Sequence, residues 1–220
     1  MSNPAVRGDR GVSAQILYSA SGQLEPEVAA GLDEVQRMIA AGIAEMAQKE
    51  TVDPRVSDIV RRAGLSNKTF YRHFGSKDEF LGAVLRQTLT LQSERLQRCL
   101  ATEDRALDRV RIWVREVLAL AVHPELVAIT RPLVVHQARL FSILGTEFWK
   151  SVDTLKTQLR DAIAEAVCAG ELKQADPVAD ADAIFHLATG WLHARIVENL
   201  ATTEKDVEQI VDFAVRGLHR

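Results

Sequence analysis

The sequence predicts an all-α protein, and three observations carry that reading. Six prolines and twelve glycines in 220 residues are few for an all-β fold. Apolar residues recur three and four apart along most of the chain, the spacing of one helix face. No segment shows the strict polar–apolar alternation of a half-buried strand, and there is no internal repeat.

The elements follow in order. Residues 1–24 are rich in Ser, Gly, Ala and Arg without periodicity and read as a flexible arm, with Arg7 and Arg10 as cations that could brush DNA. The first clear helix carries Val35, Met38, Ile39, Gly42, Ile43 and Met46 on one stripe, and Pro26 offers an earlier start. Asp53 and Pro54 then read as an N-cap with proline at the first helical position. The short helix that follows places Val56, Ile59, Val60 and Ala63 on one face, and Gly64 ends it. Ser66 caps a second short helix through Phe74. Ser76 and Glu79 open a third as a capping box, and this helix reaches about Ala101.

Helical pattern continues to the C-terminus. Leu107, Val110, Val114, Val117, Leu118 and Ala121 form a stripe. Pro124 and Pro132 are expected to bracket a short broken element. Leu155, Leu159, Ala162, Ile163, Ala166 and Val167 form a long helix stopped by Gly170. A polar loop leads to a helix over 178–199, and Thr203 caps a last one.

Charge points to function. Val60–Lys77 holds Arg61, Arg62, Lys68, Arg72 and Lys77 and no acidic residue, inside a chain of net charge −3. Such segregation is the footprint of a surface that meets phosphates. The glycine turn between two short helices is the pattern of a helix-turn-helix, here over about 55–74. Its second helix carries hydroxyls at Ser66, Thr69 and Tyr71 that can reach phosphates, and Asn67, Lys68, Arg72 and His73 that can reach phosphates or base edges. Lys77 adds a charge in the next helix, while Phe70 and Phe74 anchor the element to its core.

At this point the residues resemble a known family. The run Ile59-x-x-x-Ala63-Gly64-Leu65-Ser66-x-x-Thr69-x-Tyr71-x-His73-Phe74-x-x-Lys77-x-x-Phe80-Leu81 is similar to the N-terminal DNA-binding domain of TetR-family transcriptional regulators. The chain departs from the usual pattern at Val60, Leu65 and Phe70, all apolar exchanges. The resemblance covers roughly residues 32–92 and implies an Ω-shaped homodimer on a palindromic double-stranded DNA operator. It implies Tyr71 and Lys77 as phosphate contacts, Thr69 as a phosphate or groove contact, and Arg55 as a backbone contact. The domains would be 25–92 for DNA binding and 93–220 for a helical effector-binding and dimerisation domain.

Aromatic bulk in the C-terminal half, at Trp113, Phe141, Phe148, Trp149 and Phe185, with His136 as a polar group, suggests the lining of an effector site for an apolar or amphipathic molecule. The helix over 178–199 is apolar nearly all round and must be covered on two sides, which calls for a partner subunit. Trp191 and Leu192 on it, with Val207, Val211 and Val215 on the last helix, are the expected dimer interface.

Other function classes find little support. His186 and His193 lie two turns apart and do not chelate one metal, so no metal or other cofactor is expected. No nucleophile elbow, zinc-protease motif, phosphate-binding glycine loop or Cys-x-x-Cys occurs, which weighs against an enzyme. Two cysteines and no run of about 18 apolar residues fit a cytoplasmic protein away from membranes. The expected function is a ligand-responsive regulator, a repressor that leaves its operator when a small molecule binds. A constitutive DNA-binding protein or an activator is the alternative.

Overall fold

Asp33 opens the first helix in the computed structural model, which describes residues 33–219 apart from the side chains of Glu147, Phe148 and Ser151. The N-terminal arm, Pro26 and Phe148's side chain therefore lie outside the described residues. Among those residues there is no strand. Ten α-helices follow one another: α1 Glu34–Lys49, α2 Val56–Ala63, α3 Asn67–His73, α4 Lys77–Leu100, α5 Ala106–Leu118, α6 Pro124–Val135, α7 Gln137–Leu144, α8 Thr146–Cys168, α9 Pro177–Val197 and α10 Glu204–Leu218. A short 3-10 turn, Ala119–Ala121, extends α5. The predicted all-α class is the one observed.

The chain divides into two compact units. Residues 33–91 and 128–145 form the first; 92–127 and 146–219 form the second. In the first, α1 packs on α2 and α3. Met38, Ile39, Ile59, Phe70 and Phe80 are buried together in its core. Gly42 is required there, because a Cβ would lie 2.6 Å from the Phe80 ring. Phe70, Phe74 and Phe80 meet with ring centroids 5.1–5.5 Å apart, in tilted and edge-on pairs.

In the second unit, α5 is central and touches α8, α9 and α10. Trp113 is wholly buried, and its indole N–H donates to the Leu155 carbonyl at 3.0 Å. Arg115 of α5 forks onto Glu208 of α10, Nε at 2.6 Å and Nη2 at 3.1 Å.

Three local expectations need correction. Asp53 does not cap α2: Arg55 is the cap residue and makes no side-chain cap bond, while Asp53 is taken by cations described below. Pro132 does not break the chain but sits inside α6. Having no N–H, it cannot bond the Ala128 carbonyl four residues back, and the helix runs only three residues further. Third, Glu79 does not close the box on Ser76; its carboxylate accepts from the Gly75 amide at 2.8 Å, while Ser76 Oγ accepts from the Glu79 amide at 3.0 Å. By contrast Thr203 and Asp206 form the reciprocal box at the start of α10.

Candidate nucleic-acid interface

The turn before α3 is built from two local devices. Gly64 takes φ 66° and closes α2, while the Leu65 amide donates back to the Val60 carbonyl at 2.8 Å. Only a residue without a side-chain penalty adopts that backbone freely. Ser66 then caps α3, accepting from the Thr69 amide at 3.1 Å, and its hydroxyl pairs with that of Thr69 at 3.0 Å. The seven-residue helix buries Phe70 fully and leaves Asn67, Lys68, Tyr71, Arg72 and His73 exposed. Tyr71 is 60% exposed although its ring stands edge-on to Phe70 at 5.2 Å. One face thus fixes the helix and the other presents hydroxyl, amide and cationic groups.

Electrostatics here differ from the sequence picture. The basic stretch is partnered by carboxylates from outside it. Arg61 meets Asp58 at 2.6 Å. Arg62 Nε donates to the buried Glu45 at 2.7 Å, and another of its nitrogens to Gln48. Arg72 pairs with Glu34, and His73 Nε2 reaches the same Glu34 oxygen at 2.7 Å. Lys77 pairs with Asp53, which Arg139 of α7 also approaches at 3.4 Å. Of the five Lys and Arg side chains in the stretch, Lys68 alone has no acidic partner among the described residues. Residues 33–79 contain eight Lys or Arg and eight Asp or Glu. This segment is therefore balanced overall, with its cations spread from α1 to the start of α4.

The titrations follow from those pairs. Hydrogen bonds from His73 and then Arg72 hold the Glu34 carboxyl below its usual range. Burial pushes Glu45 up, but bonds from Lys49 and Arg62 outweigh it and the carboxyl ends below its usual range. The Lys77 bond does the same for Asp53 and the Lys49 bond for Asp58, each against a smaller effect of burial. All four carboxylates stay charged at neutral pH and keep the basic side chains oriented.

Two segments match known families. Residues 39–84 match the bacterial regulatory proteins of the tetR family. Residues 108–219, over half of the chain, match the C-terminal domain of AefR-like transcriptional repressors. The chain belongs to the TetR family.

Solved structures share its fold. A TetR-family regulator from Mesorhizobium loti MAFF303099 is 18% identical, with 84% of this chain and 94% of that one covered and a TM-score of 0.69. Reduced NemR of E. coli is 19% identical, with 86% and 98% covered and a TM-score of 0.68. FadR of Bacillus subtilis, solved with stearoyl-CoA, is 17% identical, with 83% and 96% covered and a TM-score of 0.63. No curated protein matches the chain. The resemblance drawn from the Ile59–Leu81 run is thereby borne out, and the protein is a DNA-binding transcriptional regulator by family.

The regulator's other candidate residues are scattered. His136 and Phe141 belong to the first unit, on the surface and half-buried respectively at α7. Trp113 and Phe185 meet in the core of the second, ring centroids 6.1 Å apart. Trp149 is 59% exposed on α8. Trp113 has no exposed face and its one polar group is used, so it is a core residue of the protomer.

Four of the five expected dimer residues are covered by their own chain. Val207, Val211 and Val215 are buried within the chain where α10 meets α5, as is Leu192 on α9. A stripe already covered by its own protomer is not available to a partner. The outward faces are different: Val178, Ala179, Ala183, Gly190 and Val197 on α9, and Phe213, 60% exposed, on α10. Trp191 is half-buried, with the Arg195 guanidinium 5.0 Å from its ring centroid.

Periodicity finds a stripe but not what covers it, so sequence reasoning missed Phe213. It missed Glu34, Glu45 and Asp53 as partners of the basic stretch because no local pattern links residues 17 to 39 positions apart.

Proposed function

We propose that the regulator is a homodimeric, ligand-responsive repressor that binds a palindromic DNA operator through α3 and leaves it when a small molecule occupies the C-terminal half. The observation that carries this is the presentation of α3: Phe70 locked inward, and Asn67, Lys68, Tyr71, Arg72 and His73 turned out behind a glycine turn and a serine cap. An α-helix so displayed fits the major groove, with Asn67, Lys68, Arg72 and His73 at base edges or phosphates. Ser66, Thr69, Tyr71, Lys77 and Arg55 supply backbone contacts in this reading. Ser66 does so through the hydroxyl that also caps the helix, and Thr69 through the hydroxyl paired with it.

A single α3 reads only a few base pairs. Two copies at about 34 Å, one turn of DNA, read a palindrome. The outward apolar groups of α9 and α10, Val197 and Phe213 above all, support pairing of two protomers through those helices. The match to AefR-like repressors supports the repressing sign. FadR's complex with stearoyl-CoA, and the similarity to the flavonoid-responsive regulator FrrA, support an apolar or amphipathic effector. A ligand shifts such a regulator only if it binds the released conformation more tightly.

Selection from a random duplex library on the immobilised full chain tests the first half. Enrichment of an inverted repeat is expected, and no enrichment overturns the reading. Stearoyl-CoA and a flavonoid, each added to the selected complex, test the second. Release by either supports it, and retention in saturating amounts of both refutes this effector class.

A further inference from the structure

Glu34 is the first residue of α1, and its carboxylate oxygen Oε2 receives both Arg72 Nη2 and His73 Nε2 from α3. The contact spans 38 and 39 residues of sequence. It differs in kind from two of the other pairs nearby. Asp58 and Arg61 lie three apart on one helix, and Glu45 with Arg62 is largely buried between α1 and α2. Glu34, Arg72 and His73 all reach solvent, with side chains 36%, 61% and 29% exposed. They therefore stand on a face that an approaching polyanion can reach.

Resting on the reading of α3 as the DNA-binding helix, we propose that Glu34 is a specificity-determining positioning residue: it competes with DNA phosphates for Arg72 and His73 and so suppresses binding to non-specific sequence. Phosphate contacts give affinity without sequence information, and every duplex offers them. A carboxylate already seated on two donors must be displaced before those donors serve a phosphate. An exposed pair of this kind is weak enough to be exchanged. A cognate site, which offers base-edge acceptors as well, displaces it more readily than random DNA does. Glu34 thus subtracts from the charge of α3 where charge alone would bind anywhere, leaving Lys68 as its uncompensated cation.

The test measures binding of the full chain to two duplexes as salt is raised: one of random sequence, and one enriched from a random library on the same protein. Glu34→Gln keeps shape and removes charge, and Glu34→Ala removes the acceptor as well. Both are expected to bind the random duplex about three- to tenfold more tightly, with a salt slope steeper by about one. The ratio of enriched to random affinity is expected to fall. Unchanged random-duplex affinity and slope in both variants would overturn the proposal. So would weaker binding to both duplexes, which would mean that the carboxylate prepares its donors for DNA. Lys68→Ala separates this from the reading beneath it. If Lys68→Ala weakens binding while the Glu34 variants change nothing, only the role of Glu34 fails. If Lys68→Ala also changes nothing, α3 is not the DNA-binding helix and both fail.

Discussion

The short helix α3 and the last helix α10 solve one problem in opposite ways. Each buries an apolar stripe in its own unit, Phe70 in one and Val207, Val211 and Val215 in the other. Each turns an outward face to solvent. On α3 that face is polar and cationic, and its Arg72 and His73 are held by a carboxylate from α1. On α10 the outward face carries Phe213, a large ring left 60% exposed among Gln209, Asp212 and Arg216. A surface of weakly held cations suits a charged polymer that must be released. An exposed aromatic ring suits a permanent apolar partner, because burying it gains about 1.5–3 kcal/mol. The stripe tells where the core is; the opposite face tells what the helix is for.

The sharpest way to break this comparison is to put one charge on each side of α10. Val211→Asp places a carboxylate at a position with no exposure and is expected to destabilise the protein by about 4 kcal/mol or more, read by chemical denaturation. Phe213→Asp, two residues on, should change the stability of the protomer by no more than about 0.5 kcal/mol. It should instead convert dimer to monomer in sedimentation equilibrium. If Phe213→Asp remains dimeric, α10 does not carry the interface.

On the α3 side, Glu45→Ala is the larger lesion. It leaves Arg62 without its carboxylate between α1 and α2 and should cost about 3 kcal/mol. Acid attacks the same network more gradually. Glu34, Glu45, Asp53 and Asp58 all have carboxyls held below their usual range by basic partners. Their stabilisation is fully present above the ordinary carboxylate range, near pH 4–5, and is lost as pH falls through their lowered values. Helical circular dichroism of the full chain should therefore be flat from neutrality to about pH 5 and fall only below about pH 4. A loss already complete at pH 5 would contradict the pairing.

The local features were legible in the sequence because their chemistry is local. Gly64 and Ser66 announce the turn and cap of α3 through residues within four positions, and Thr203 and Asp206 do the same for α10. Failures came where a distant partner decided the outcome. Asp53 has the right neighbour to cap α2, but Lys77 and Arg139 claim its carboxylate from 24 and 86 residues away. The basic stretch looked like a bare positive patch because its neutralising acids lie outside it, in α1 and around Asp53 and Asp58. The valine stripe of α10 was visible; that α5 of the same chain covers it was not.

The central claim is that α3 meets DNA with its outward side chains while Phe70 anchors it. Fluorescence anisotropy of a labelled duplex selected on the wild-type chain tests it most directly, with Lys68→Ala and Tyr71→Ala titrated across a range of salt. Each variant should keep the wild-type circular dichroism spectrum and bind more weakly, and Lys68→Ala should lower the salt slope by about one. Wild-type affinity and slope in both variants would contradict the account.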